Sequence, residues 1–216
     1  MAYRETSKIR ARKLAQRDAL LQSAEGLVRE GGFEALTMQA LAERCGLAVG
    51  TVYRYFDSKD GLVCAVFERA TEREIAAVRV ALEQQPQADE ALSAGLQVFA
   101  RRALAAPRLA WALIAEPVAP ALDGIRLRYR EHWSSLFATV LERGVSSGLW
   151  PAQNTALAAA AMVGALAEAL VGPVSRARQA PLHDAALVDD LVLFCLRATG
   201  MALTPDDRGG LHEQQA

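Results

Sequence analysis

Apolar side chains recur at steps of three and four residues along most of the chain, which is the spacing of one face of an α-helix. The sequence shows no sustained alternation of apolar and polar residues, the pattern expected of a half-buried strand. The first apolar stripe ends at Gly31 and Gly32, residues that tolerate the left-handed conformation at a helix C-terminus. The pattern predicts an all-α fold of about nine helices. The members of the first stripe are Leu14, Leu20, Leu21, Ala24, Leu27 and Val28.

Capping residues and helix breakers divide the pattern into separate helices. Thr37 is placed to cap a second helix that ends near Arg44, and Gly46 separates it from a short third helix. Asp57 or Ser58 caps a long fourth helix, whose apolar stripe continues until residues 84–87. Prolines lie at or near most of the later boundaries. Besides the fourth helix, the predicted helices cover about residues 10–30, 37–44, 49–55, 88–105, 108–115, 120–146, 153–178 and 184–202.

The composition is that of a globular protein, with 216 residues of which 52% are hydrophobic and 23% charged. A net charge of −1 excludes a protein that coats nucleic acid or anionic membrane through its bulk charge. Positive charge is nevertheless concentrated locally, because residues 1–17 contain six basic side chains and a single acidic one. This arm is either a solvated terminus or a segment that contacts an anionic partner.

Neither secretion nor membrane insertion is expected. The basic residues at the N-terminus are not followed by an apolar stretch, and the long uncharged run 144–167 owes its apolar character largely to alanine. The cysteines Cys45, Cys64 and Cys195 have no paired short spacing, so the sequence predicts neither a disulfide framework nor a zinc site. We expect a cytoplasmic protein with reduced thiols and no metal or other cofactor.

Residues 37–56, TMQALAERCGLAVGTVYRYF, place two short predicted helices around a glycine-containing turn. This is the layout of a helix-turn-helix, whose second helix enters the major groove of DNA. A helix over residues 49–55 is about 10 Å long, and the major groove is about 12 Å wide. The alternative is that the aromatic residues of this segment belong to a helical core. Arg54 opposes that alternative, because arginine is rarely buried unless it is paired.

The wider segment 29–62, REGGFEALTMQALAERCGLAVGTVYRYFDSKDGL, resembles the DNA-binding domain of TetR-family transcriptional regulators. The resemblance covers about 60 residues, and the helical remainder agrees with the family in architecture rather than in motif. Ala48 departs from the pattern, because the family usually carries Ser or Thr at the start of the recognition helix. The loss removes an N-cap. The resemblance is carried by Gly32-Phe33, Thr37, Ala42-Glu43, Cys45-Gly46, the run from Gly50 to Phe56, and Lys59.

The resemblance implies a dimeric repressor that a small-molecule inducer releases from a palindromic operator in double-stranded DNA. It implies a helix-turn-helix domain with a basic arm over residues 1–58, a ligand-binding and dimerisation domain over 59–204, and a flexible tail over 205–216. It further implies that phosphates are held by Thr37, Tyr55 and Lys59, and that base edges are faced by Val49, Gly50, Thr51, Tyr53 and Arg54.

The last two predicted helices, over residues 153–178 and 184–202, are the candidates for a homodimer interface. The first is apolar nearly all round, with Glu168 the only charge between Asn154 and Ser175. A helix of this kind needs burial on several sides. Either a four-helix interface between two copies or the core of a monomer would supply that burial.

Aromatic and polar residues gather within residues 88–150, which include all three tryptophans. A ligand pocket needs apolar walls with a few polar anchors, although each of these residues taken alone is more typical of core packing. A charged ligand would find an anchor in Arg101, Arg102, Glu116 or Arg128, and the sequence does not choose among them. The predicted ligand-binding residues are Phe99, Arg102, Trp111, Glu116, Tyr129, Trp133 and Phe137.

The alternatives to this function are a DNA-binding regulator without a small-molecule ligand and a helical enzyme. His132, His183 and His212 lack metal-ligand spacing, and the sequence contains neither a GxxxxGK loop nor a GxSxG elbow. No residue is nominated as a nucleophile. We therefore expect a regulator and not an enzyme.

Overall fold

The computed structural model describes residues 7–118, 120–176 and 184–201 of the chain. Within these ranges all regular secondary structure is helical, which confirms the all-α prediction. The predicted tail, and the predicted helix ends at 178 and 202, lie outside the described residues. The helices of the described ranges are α1 (Ser7–Ala35), α2 (Met38–Cys45), α3 (Val49–Tyr53), α4 (Lys59–Glu83), α5 (Ala88–Ala105), α6 (Pro107–Ile114), α7 (Pro120–Ser146), α8 (Thr155–Arg176) and α9 (Ala185–Ala198).

Helix α1 is longer than predicted at both ends. Gly32 has φ 74° and ψ −173°, so the expected glycine break is present, but one further turn continues to Ala35. At the other end, Leu14 is exposed although the sequence pattern placed it on the apolar stripe. The reason is that residues 8–15 are all exposed, and α1 reaches the core only from Leu20 onward.

Helix α4 connects the two halves of the fold. It packs against α1 on one side and against α5 and α7 on the other. All eight residues of its predicted apolar stripe are buried, as is Phe56 just before it, which confirms the core position expected for that ring. The buried stripe consists of Leu62, Val63, Val66, Phe67, Ala70, Ile75, Val78 and Leu82.

A buried carboxylate ties α1 to α4. Glu25 is 3% exposed and lies against the guanidinium groups of Arg29 on its own helix and of Arg69 and Arg73 on α4. Arg69 also pairs with Asp18 on α1. A buried carboxylate is tolerated when cations and hydrogen bonds compensate its charge, so this cluster fixes the relative position of the two helices.

Helix α8 has an unusual surface. It is long and apolar enough, by length and composition alone, to cross a membrane, and it is the one such helix among the residues that the structure describes. It packs against α5, α6, α7 and α9, as a core helix of a bundle does. Only 33% of its most apolar stretch is buried, however, so the helix keeps an open apolar side.

The cysteines carry no bond to one another, in agreement with the expectation of free thiols. Cys195 is buried, and burial raises the pKa of its thiol to about 11. Burial also raises the pKa of the Cys64 thiol. Thiols held in their neutral form are poor nucleophiles and poor metal ligands. Over the described ranges, no group of three or more His, Cys, Asp or Glu side chains is placed to hold a metal ion.

Gly144 and Trp150 provide a test of the core packing. A Cβ at Gly144 would lie 2.0 Å from Cε3 of the buried Trp150, so we expect Gly144→Ala to destabilise the fold by about 1–3 kcal/mol through overpacking. Gly124 lies on the same helix, and its Cβ would meet no described atom within 4 Å. Gly124→Ala should therefore stabilise the fold, by up to about 1 kcal/mol. The free energy of unfolding in urea measures both variants. Equal changes in the two variants would contradict the close contact of Gly144 with Trp150.

Candidate nucleic-acid interface and ligand cavity

The turn between α2 and α3 is built from local hydrogen bonds. Thr37 caps α2, its Oγ1 accepting a hydrogen bond of 2.9 Å from the backbone N–H of Ala40, which confirms the predicted cap. Gly46 ends α2 in the left-handed conformation with φ 64°. The N–H of Leu47 then donates to the carbonyl of Ala42. This sequence of cap, helix and glycine stop sets the direction in which α3 begins.

Helix α3 turns one side chain inward and presents the others to solvent. Val52 is fully buried, whereas Tyr53 is 50% exposed and both Val49 and Arg54 are exposed. A Cβ at Gly50 would meet no described atom within 4 Å, so the backbone there is open to close approach. The residues predicted to face base edges therefore lie together on an accessible surface, with Thr51 half-buried at its margin.

The start of α3 lacks a side-chain cap. Ala48 occupies the N-cap position and makes no capping hydrogen bond, as the departure from the family pattern predicted. The helix is held instead by its backbone, with the N–H of Thr51 donating to the carbonyl of Ala48 at 2.8 Å.

The residues predicted to hold phosphates differ in their availability. Lys59 is exposed in the first turn of α4, which Ser58 caps by accepting a hydrogen bond from the N–H of Gly61. Tyr55 is half-buried, and its hydroxyl donates to Oε1 of Gln16 on α1 at 2.8 Å. The hydroxyl proton of Tyr55 is therefore engaged in a hydrogen bond within the protein. The motif alone did not predict this long-range contact.

Cations cluster near this surface. Lys8, Arg10 and Arg12 are exposed on the first turns of α1. The guanidinium of Arg17 lies 5.3 Å from the ring centroid of Phe56 at the end of the recognition segment. Arg4, the first cation of the predicted arm, lies outside the described residues. The described part of the arm is thus a positively charged helix that contacts the recognition segment through Gln16 and Arg17.

A cavity of about 110 Å³ lies among helices α4 to α8. Its walls include an edge-to-face pair of Phe99 and Trp133, with ring centroids 5.0 Å apart, and a second such pair of Phe67 and Tyr129 at 5.7 Å. Four of the seven predicted ligand-binding residues line it. They are Phe99, Arg102, Tyr129 and Trp133.

Most polar groups in the cavity wall already have partners. Arg102 donates to both carboxylate oxygens of Glu74, at 2.5 and 3.0 Å, so its charge is compensated. The hydroxyl of Tyr129 donates to Glu72 at 2.9 Å, and burial raises the pKa of Tyr129 well above its ordinary value. The predicted anchor Arg102 is therefore engaged in an ion pair rather than free for a ligand.

Three predicted ligand-binding residues lie outside the cavity lining. Phe137 is fully buried and belongs to the core, and Trp111 is half-buried and packs against the core from another side. The carboxylate of Glu116 accepts hydrogen bonds from the backbone N–H groups of Phe33, at 2.9 Å, and Glu34, at 3.1 Å. The carboxylate of Glu116 thus binds the end of α1.

Two further candidate anchors for a charged ligand lie outside the cavity lining. The lining also contains two polar residues that the sequence analysis did not predict. Arg101 and Arg128 are both exposed outside the lining. Thr71 and Arg126 line the cavity. Helical spacing in the sequence was sufficient to predict both positions. Thr71 follows Phe67 by one turn on the buried stripe of α4. Arg126 lies on the same face of α7 as Leu122 and Tyr129.

Glu116 joins the two halves of the fold at Gly32. A Cβ on Gly32 would lie 2.7 Å from Oε2 of Glu116, and the positive φ there also favours glycine. The backbone carbonyl of Glu116 accepts from Nη2 of Arg126 at 2.8 Å, and the same nitrogen donates to the carbonyl of Ala112 at 2.7 Å. A residue of the cavity wall therefore contacts the segment that holds α1.

Comparison with known proteins agrees with this arrangement. Residues 20–66 match the family described as bacterial regulatory proteins, tetR family. The HTH-type transcriptional repressor KstR of Rhodococcus jostii RHA1 is 45% identical over 58 residues, which are 27% of this chain and 27% of that protein. The alignment thus spans about a quarter of this chain and about a quarter of the curated relative.

Solved structures extend the likeness to most of the chain at the level of fold. The regulator RolR in complex with resorcinol has a TM-score of 0.69 at 20% identity, covering 94% of this chain and 96% of that one. FadR of Bacillus subtilis in complex with stearoyl-CoA has a TM-score of 0.68 at 17% identity, covering 83% and 97%. The class of protein is an all-α helix-turn-helix protein. Its residues 20–66 are similar to the DNA-binding domain of the tetR family, and the rest of the chain is similar to the solved regulators in fold.

We expect Glu116→Gln to destabilise the protein by about 1–3 kcal/mol, because an amide keeps one acceptor oxygen and turns a donor toward the second backbone N–H. Glu34→Gln neutralises an exposed carboxylate at the same junction and should change stability by less than about 0.5 kcal/mol. The free energy of unfolding in urea measures both variants. A Glu116→Gln protein as stable as its control would show that these hydrogen bonds do not hold the junction.

Proposed function

We propose that the protein is a cytoplasmic, dimeric and sequence-specific DNA-binding repressor that a small-molecule inducer releases from a palindromic operator. The observation that carries this proposal is the outward position of α3, which the buried Val52 anchors, with Tyr53 exposed on the helix and Arg54 exposed at its C-cap. The repressor name of the relative KstR supports it.

In this proposal α3 lies in the major groove, and base edges are contacted by Val49, Gly50, Thr51, Tyr53 and Arg54. The exposed Lys59 and the hydroxyl of Thr37 hold phosphates, the latter while still accepting from Ala40. Tyr55 reaches a phosphate only by exchanging its partner Gln16. The cations of the first turns of α1 run along the DNA backbone and add affinity that does not depend on sequence.

The open sides of α8 and α9 form the proposed homodimer interface. On α8, the exposed Leu157, Ala160, Ala161 and Gly164 recur at steps of three and four residues and make one stripe. On α9, Phe194 is 56% exposed. Small residues allow two helices to approach closely, and a twofold axis would bury the stripe against its own copy. The residues 59–204 would then combine dimerisation with ligand binding, and residues 1–58 would bind DNA.

The cavity supports an inducer and favours this proposal over a regulator without a ligand. It is enclosed by five helices and walled mainly by apolar side chains, as small-molecule sites are. Two regulators of the same fold were solved with resorcinol and with stearoyl-CoA. Binding at the cavity and at DNA would be linked reciprocally, so the operator should weaken inducer binding by the same factor. The proposal assigns the chain no enzymatic activity.

Arg54 and Lys59 should differ in how their loss affects DNA binding. We expect Arg54→Ala to cost about 1–3 kcal/mol, and to do so selectively at one base pair of the operator. Lys59→Ala should weaken binding to every duplex and reduce the slope of log K against log salt by about 1. Fluorescence anisotropy with operator, single-base variants and random duplex measures both. Equal weakening by Arg54→Ala on operator and on random DNA would contradict base recognition.

The dimer interface is tested by placing charge on it. Leu157→Glu and Phe194→Glu each put a carboxylate into the proposed contact, and we expect monomers in sedimentation equilibrium together with loss of operator binding. Leu127 on α7 is 60% exposed, close to the 67% of Leu157, so Leu127→Glu is the matched control and should remain dimeric. An unchanged dimer dissociation constant in both Leu157→Glu and Phe194→Glu would refute this interface.

A further inference from the structure

We propose that the cavity among α4 to α8 takes a small apolar carboxylic acid, whose carboxylate is held by Arg126 and Thr71. This inference rests on the proposed ligand response and names the chemical class of the inducer. It is carried by two residues of the cavity lining that each hold a buried polar atom without a partner among the described residues, Nε of Arg126 and Oγ1 of Thr71.

The charge of Arg126 is only partly compensated. The side chain is 14% exposed, and its Nη2 donates to two backbone carbonyls, which carry no full charge. The nearest carboxylate oxygen, on the largely exposed Asp123, is 4.0 Å from Nη1. The carboxylate within the cavity wall, Glu74, is engaged by Arg102. Burial lowers the pKa of Arg126, which reflects the desolvation of its charge.

Thr71 adds a hydroxyl to the residues that line the cavity. It is 4% exposed, and its Oγ1 has no hydrogen-bond partner among the described residues. Thr71 follows Phe67 by one helical turn, and the guanidinium of Arg126 lies 6.0 Å from the Phe67 ring centroid. Thr71 and Arg126 are therefore both neighbours of Phe67 in the cavity lining. An unpaired buried donor is costly, and a ligand oxygen would satisfy it.

A carboxylate fits this pair better than the alternatives do. Its two oxygens match one guanidinium N–H and one hydroxyl, and its single negative charge compensates a single cation. A neutral carbonyl would leave the charge of Arg126 uncompensated. A phosphate would bring more oxygens and more charge than these two donors satisfy. The exposed Arg130 also lines the cavity and adds positive potential at its margin.

The size and walls of the cavity define the rest of the ligand. Its volume of about 110 Å³ is somewhat below the roughly 150 Å³ of an apolar cavity that holds benzene. The remaining walls are apolar, with Phe99, Trp133, Leu109 and Leu113 among them. The ligand is therefore no larger than a single ring or a short chain that bears one acidic group, and a ring of benzene size enters only as the cavity wall moves outward.

The inference is tested with three acids and their neutral amides as probes: benzoate, phenylacetate and hexanoate against benzamide, phenylacetamide and hexanamide. A ligand that binds the native state raises the melting temperature, and calorimetry gives its affinity. We expect at least one acid to bind the full-length protein about tenfold or more tightly than its own amide, because a hydrogen bond to a charged group is stronger than a neutral one.

Two variants locate the site. Thr71→Val keeps the shape of the side chain and removes an unpaired hydroxyl, so the variant should fold at least as stably as the parent and bind the acid about tenfold more weakly. Arg126→Gln should weaken the acid by about 10- to 100-fold. Arg128→Gln removes an exposed arginine of the same helix outside the cavity and should leave the affinity unchanged.

The outcomes separate this inference from the proposed function. If amides bind as tightly as acids, if no probe binds, or if Thr71→Val and Arg126→Gln both retain full affinity for the acid, the inference is overturned while DNA binding stands. If an acid binds at Thr71 and Arg126 but does not release the operator, the site is established and the proposed inducer response is wrong.

Discussion

The structure depends on one continuous helix, α4, whose 25 residues belong to both halves of the molecule. Its first turn carries Lys59 beside the recognition segment, and its middle supplies Phe67 and Thr71 to the cavity wall. At 1.5 Å per residue, Lys59 and Thr71 are about 18 Å apart along the axis. In the proposed function, α4 would move nearly as a rigid body, so that a shift at the cavity would displace the segment next to α3.

Polar contacts join α4 and its neighbours to α1. The buried Glu25, held by Arg69 and Arg73, makes α1 follow α4. Glu116 fixes the end of α1 to the segment that Arg126 binds. These contacts link α1, α4 and the segment around Glu116 to one another. Inducer and operator would then be coupled through the free-energy difference between two arrangements of these parts.

Local chemistry was readable from the sequence, and contacts across the fold were not. The cap at Thr37, the stop at Gly46 and the exposure of Arg54 follow from residues within a few positions of one another. The cavity depends on five helices packing together. Trp133 and Phe137 lie one turn apart on α7, yet Trp133 lines the cavity and Phe137 is core. The contact of Glu116 is with Phe33, 83 positions away in the sequence, whose backbone N–H donates to its carboxylate. The sequence pattern alone indicated a ligand-binding role for this carboxylate.

The central claim is that an outward-facing α3 reads DNA together with a twin in the same dimer. Selection of bound duplexes from a random library by the purified full-length protein tests this claim most directly. The account predicts enrichment of an inverted repeat, with half-sites centred about 10 base pairs, one helical turn, or a multiple of it apart. Recovery of no enriched sequence in dilute buffer, or of single half-sites without a symmetric partner, would contradict it.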